Sequence, residues 1–291
     1  MTRKNIFEIL NNNYNILKEI QKIVELSNLK LIIYDDGYTK RTIYTIEEFF
    51  DKKIIKDWKQ RGSYICSEEI KQTLKISERI GNTTTFEEYI KIVEYYSNII
   101  YLIVAKFGIL NRANYYTDDL FTILFENIEI MLDHINYEKL IIKKEEKVLL
   151  IPKKPESIAV AEISSEETAL AILKYNHASL KDDLEGKRSL LFAIYREYEP
   201  LLKNPVEGYA DFYKKVKQLY NMLDIRHNNK SKENNKNTVI DITNEELEKW
   251  YDELYQLLLF CVLIKDNIKR KKDVDEFLKT IKNKTYKDVT I

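Results

Sequence analysis

Six glycines and four prolines in 291 residues leave this chain few places where its backbone can reverse tightly. Glycine accepts positive φ at no steric cost and proline presets turns, so their scarcity speaks against turn-rich all-β folds and glycine-rich phosphate loops. Helices are what remains. The hydrophobic fraction of 44%, with 21 Tyr and 11 Phe as bulky core material, belongs to a chain that folds. Its length suits one large domain or two smaller ones.

Local patterning places the elements. Ile9, Ile16, Ile20 and Ile23 share one helical stripe in a first helix from Asn5 to Leu26. Leu31 to Tyr34 and Thr42 to Tyr44 are β-branched and aromatic runs around an Asp36-Gly37 turn signal, which predicts a small hairpin. Thr45, with Glu47 and Glu48 behind it, starts a helix through Phe49, Ile54 and Trp58, and Ser67 with Glu68 and Glu69 repeats the signal toward a C-cap at Gly81. Thr85 opens a long helix reaching Phe107, and Thr117 opens one bearing Leu120, Leu124, Ile128 and Met131 on one face. Leu140 to Ile142 and Val148 to Ile151 flank charged residues as a second hairpin.

Pro152, Lys153, Lys154 and Pro155 mark a domain boundary, dividing a helical region with small hairpins (1–151) from a helical bundle (156–291). In the bundle, helices are predicted from Ser165 to His177, from about Leu180 to Leu202 and from Val206 to Asp224, with a last one capped by Thr243. That last helix carries Leu247, Tyr251, Leu254, Leu258 and Cys261 on one face. The lysine-rich tail from Lys265 reads as frayed or as a short added helix. The fold class is therefore mainly α, a bundle or bundles with small hairpins in the N-terminal half.

Lys plus Arg and Asp plus Glu both total 47, which removes any whole-protein attraction to nucleic acid and leaves only local patches. Cys66 and Cys261 are too few for a disulfide framework and form no CxxC pair, so a reducing cytoplasm is expected, with no metal site. No secretory signal core is expected from the N-terminal residues. The most apolar run, Ile99 to Ala105, falls far short of the ~20 residues a bilayer span needs, so a buried helix and no membrane partner are expected. The sequence has no G-x-G-x-x-G, Walker-A, H-E-x-x-H or G-x-S-x-G motif, and no cofactor is expected. Glu145 and Lys147 beside the second hairpin could serve a metal-dependent nuclease, a pattern that a chain 32% charged produces by chance. The tyrosine pairs Tyr95-Tyr96 and Tyr115-Tyr116, with Tyr251, fall at helical positions where packing explains them better than base stacking.

His134 and His177 sit near predicted helix ends, a structural setting. His227 differs. It lies in Arg226-His227-Asn228-Asn229-Lys230, within a polar, basic segment from Ile225 to Asp241 that has no apolar period. Metal-independent RNA cleavage needs this kind of pair: a ring that moves a proton at the 2′-hydroxyl or leaving oxygen, and a guanidinium that stabilises the crowded phosphate. Asn228, Asn229 and Lys230 could hold the phosphate. A solvated turn would contain the same residues.

The helices around Arg226-His227-Asn228 resemble the HEPN-like helical domains of bacterial abortive-infection and toxin proteins, over Glu156 to Lys284 at most. That family sets an Arg, a polar residue and a later His near the start of a late helix. In this chain His227 follows Arg226 directly. The resemblance implies an RNA-acting component of an antiviral or toxin system, a metal-independent ribonuclease with Arg226 and His227 catalytic and RNA and a protein partner or second copy as partners. The alternative is a non-catalytic helical interaction module or regulator within such a system.

Overall fold

The computed structural model describes residues 15–34, 41–76, 84–107, 119–223, 225 and 242–287. The chain divides into two compact units, Met1–Pro152 and Lys153–Ile291. It is mainly α, as its scarce glycine and proline require.

In the first unit, α1 (Ile16–Ser27) leads into the antiparallel strands β1 (Leu31–Tyr34) and β2 (Arg41–Tyr44), paired with Leu31 opposite Tyr44. The turn read at Asp36-Gly37 lies outside the described residues, as does Ile9. Three helices follow: α2 (Ile46–Lys53), α3 (Ser67–Leu74) and α4 (Phe86–Phe107). Thr45 and Glu48 form a reciprocal capping box at the start of α2, and Thr85 and Glu88 form another ahead of α4. Three expectations fail here. Helix α2 stops at Lys53 rather than reaching Trp58, and α3 ends at Leu74 rather than at Gly81. Lys75 adopts the left-handed conformation (φ 55°) and closes α3, a C-cap that glycine usually supplies. Ser67 does not cap α3 either, because Asp51 accepts from both its amide (2.6 Å) and its hydroxyl (2.9 Å).

Helix α5 (Asp119–His134) and the hairpin of β3 (Tyr137–Ile142) and β4 (Lys147–Pro152) complete the unit. Leu124, Ile128 and Met131 are fully buried against Ile20, Phe49, Val93 and Ile103. The apolar run at Ile99 to Ala105 lies inside α4, and no helix among the described residues is long and apolar enough to cross a membrane. Tyr95 and Tyr96 are buried, so they serve packing. A two-stranded sheet has exposed edges, and β4 meets that cost through α4. Asn98 Nδ2 donates to the Val148 carbonyl (2.8 Å), Val148 N donates to Asn98 Oδ1 (2.8 Å), and Leu150 N donates to Glu94 Oε2 (2.7 Å). Two helical side chains thus stand where a third strand would be.

Only Lys153 and Lys154 separate β4 from α6 (Pro155–Glu162), the first helix of the second unit. The sequence reading treats this stretch as linker and starts the first helix at Ser165. Pro155 instead occupies the first helical turn, where a missing N–H costs nothing. Helix α7 (Glu166–Lys174) is capped by Ser165 and ends before His177. Helix α8 (Leu184–Lys203) packs along α10 (Asn244–Lys287), and α9 (Ala210–Met222) lies against α10 as well. Thr243 and Glu246 cap α10 reciprocally. Val160, Ile172, Leu191, Ile194, Tyr213, Leu254 and Leu258 form the core. The tail read as frayed or as a short added helix continues α10 unbroken to Lys287, so the helix is 44 residues long.

Candidate functional site

A cleft of about 480 Å³ opens in the second unit, lined by residues that include Lys154, Tyr175, His177, Lys187, Asp252 and Tyr255. Its floor is built on Lys187, which is only 6% exposed. On α8 that lysine heads an apolar stripe, Leu191, Ile194, Tyr198 and Leu201, at spacings of four and three, so the helix aims it inward. Its Nζ lies 2.8 Å from Glu248 Oε1 and 2.6 Å from Asp252 Oδ1, both on α10 and one turn apart. Asp252 also accepts from Tyr175 Oη (2.9 Å). Glu248 Oε1 takes a second donor, the amide of Asp182 (3.0 Å), which pins the turn before α8 to α10. Burial works against the Glu248 carboxylate, but Lys187 and that amide outweigh it and hold its pKa below the usual range.

Beside this ion cluster, the Tyr175 and Tyr255 rings stack with centroids 4.1 Å apart and planes 9° from parallel. Tyr255 Oη donates to the Ile172 carbonyl (2.9 Å), accepts from Asn176 Nδ2 (3.0 Å) and meets Ser157 Oγ at 2.9 Å. Burial pushes the Tyr255 phenol up to about 12, against the pull of Ser157 and Asn176. Tyr175 is raised further, first by burial and then by the Asp252 carboxylate. Both phenols therefore stay protonated near neutral pH and serve as donors, not as nucleophiles. The first unit has a smaller counterpart: buried Lys71 lies 3.0 Å from Glu47 Oε2, and Tyr95 Oη donates to Glu47 Oε1 (2.9 Å).

The two described histidines lie at helix ends, where the sequence places them. His134 ends α5 in its last turn. His177 lies past the end of α7, caps the short turn Ala178–Leu180 and lines the cleft. Its Nδ1 accepts from Ser179 N (3.2 Å) and lies 2.7 Å from Ser179 Oγ. Arg226, His227, Asn228, Asn229 and Lys230 lie outside the described residues. The residue before them is fixed: Ile225 is fully buried, and its carbonyl accepts from Arg188 Nη1 (3.1 Å), the residue after Lys187 on α8. Glu145 belongs to the turn between β3 and β4, and Lys147 begins β4. Among the described residues no group of His, Cys, Asp and Glu is arranged to hold a metal ion.

Sequence reasoning missed the Lys187 cluster. The available signals were a lysine at a core position of α8 and Glu248, Asp252 and Tyr255 at helical spacing on α10; pairing them requires the tertiary fold. No family model, curated protein or solved structure matches the chain.

Proposed function

We propose that this chain is an RNA-acting component of a bacterial antiviral or toxin system, with Arg226 and His227 meeting the RNA. The anchoring of the residue before that pair carries the reading. Ile225 is buried and bonded to Arg188, and Arg188 neighbours the lysine that ties α8 to Glu248 on α10. Ile225, the residue next to Arg226 in the chain, is thus a fixed point of the bundle. The cleft supports the same division of labour. Its carboxylates, lysine and phenols hold one another, which suits a scaffold better than an acid–base centre.

In the proposed reaction the RNA 2′-hydroxyl attacks the adjacent phosphorus and its proton passes to the His227 ring. The bond to the 5′-oxygen breaks, and that oxygen takes a proton from water as it leaves. The Arg226 guanidinium stabilises the charge on the phosphate oxygens. Incubating purified chain with end-labelled single-stranded RNA in excess EDTA tests this. Cleavage is expected with the parent, and His227→Ala or Arg226→Ala is expected to slow it by roughly 10²–10⁴-fold with the helical circular-dichroism signal unchanged. An undiminished rate in the double variant contradicts the assignment. RNA binding without cleavage by the parent would leave the non-catalytic module.

A further inference from the structure

The fold treats the two edges of the β3–β4 hairpin differently. Along the β4 edge, Val148 and Leu150 turn backbone groups outward, and Asn98 and Glu94 of α4 meet them. Residues opposite one another in an antiparallel ladder point their backbone groups alike, both toward the partner strand or both away from it. Ile141 lies opposite Val148 and Lys139 opposite Leu150, so the N–H and C=O groups of Lys139 and Ile141 point out of the sheet on the β3 side. Among the described residues these four groups have no partner: β4 is the one strand beside β3, and no helix or turn bonds to them. Lysines often guard such an edge. Lys139 does not, because its Nζ is drawn to Glu129 on α5 and lies 4.7 Å from the centre of the Phe125 ring. The cover of the sheet stops at the same place. Val148 is 1% exposed, whereas Ile141, directly across from it on the same face, is 47% exposed.

We infer that the β3 edge is a docking site for an extended peptide segment of a partner protein, added antiparallel as a third strand. The backbone selects this occupant. Outward N–H and C=O groups recur at every second residue of β3, roughly 7 Å apart, and an extended peptide presents its own donors and acceptors at that repeat. A lipid surface or a nucleic-acid backbone does not. A β-branched residue of the peptide set opposite Ile141 covers the apolar surface that β3 now exposes. The turn after β3 fixes the direction. Lys143 and Lys144 are exposed there, ahead of the half-buried Glu145 and Glu146, so an antiparallel peptide brings acidic residues at its amino end to these lysines. Antiparallel pairing is also the slightly more stable of the two per residue.

The docking does not depend on the RNA chemistry, so either can fail alone. Fluorescence anisotropy on the full chain tests it, with a labelled octapeptide of two aspartates followed by alternating threonine and valine. Weak binding is expected from so short an edge, with Kd on the order of 100 µM. The amide hydrogens of Lys139 and Ile141 are expected to exchange more slowly once the peptide is added. Ile141→Pro removes an outward N–H without breaking a ladder bond, so it is expected to weaken binding by roughly tenfold or more while circular dichroism stays constant. Ile141→Val keeps both the N–H and the branched side chain and is expected to bind as the parent does. A peptide with its aspartates moved to the carboxyl end is expected to bind more weakly. The proposal is overturned by a parent that does not bind the octapeptide, by binding that leaves exchange at Lys139 and Ile141 unchanged, or by an Ile141→Pro chain that binds as the parent does. It is overturned equally by a parent whose β3 edge is closed by a second copy, seen in sedimentation velocity as a dimer that Ile141→Pro abolishes.

Discussion

Replacing Lys187 by methionine is expected to destabilise the second unit by about 3 kcal/mol at neutral pH, lowering its Tm by roughly 10 °C. Methionine keeps the apolar stem in place, so the loss isolates the charge. Glu248 and Asp252 would be left facing each other without the cation that now lies 2.8 and 2.6 Å from them. The expected value sits at the low end for a broken buried ion pair because the Asp252 side chain is 52% exposed and can recruit water. Chemical denaturation reports on this unit alone in a Trp58→Phe background, since Trp250 is then the one remaining tryptophan. Adding Glu248→Gln and Asp252→Asn to Lys187→Met should recover most of the loss, because no uncompensated charge remains.

The pH dependence has a definite sign. The Glu248 carboxyl is held below its ordinary 4.5 in the folded protein, so it contributes stability at pH values above about 4.5. That contribution is lost as pH falls through the lower folded value. The gap between parent and Lys187→Met should accordingly narrow on acidification, as protonation removes the repulsion that the variant creates. A pH-independent gap would mean that lost packing, not charge, accounts for the effect.

Asn98→Ala is expected to cost the first unit about 2–4 kcal/mol, since it strands both the amide and the carbonyl of Val148 at the inner edge of β4. Val148 is 1% exposed, so water is poorly placed to substitute. Following Trp58 fluorescence in a Trp250→Phe background confines the measurement to this unit. Asn98→Asp keeps the acceptor for Val148 N–H but loses the donor, and should fall no higher than the alanine variant because it aims a carboxylate at a carbonyl. A loss under 1 kcal/mol for Asn98→Ala would show that β4 needs no third-strand substitute.

Elements governed by neighbouring residues were legible in the sequence. Thr45, Thr85 and Thr243 each stand three residues before a glutamate, and all three form reciprocal caps. The β3–β4 hairpin followed from two apolar runs around a charged turn. Less visible were features set by partners distant in the chain. Nothing near Asn98 announces that its side chain will meet Val148, fifty residues away. Nothing near Lys187 announces Glu248. Local patterning also misjudged Lys75, a residue without glycine's freedom that nevertheless adopts φ 55° to end α3. The continuation of α10 through its lysine-rich tail escaped for another reason: charged residues are good helix formers, and the tail needs no core contact to extend a helix already nucleated. The Arg226-His227 pair is proposed from residue type and chain position, and both residues lie outside the described ones.

The most direct test of the RNA-acting account is the chemical identity of the RNA ends that the purified chain produces in EDTA. Attack by the 2′-hydroxyl predicts 2′,3′-cyclic phosphate on one fragment and 5′-hydroxyl on the other, both absent with His227→Ala. Fragments bearing 5′-phosphate, or cleavage that appears only when a divalent metal is supplied, would contradict it.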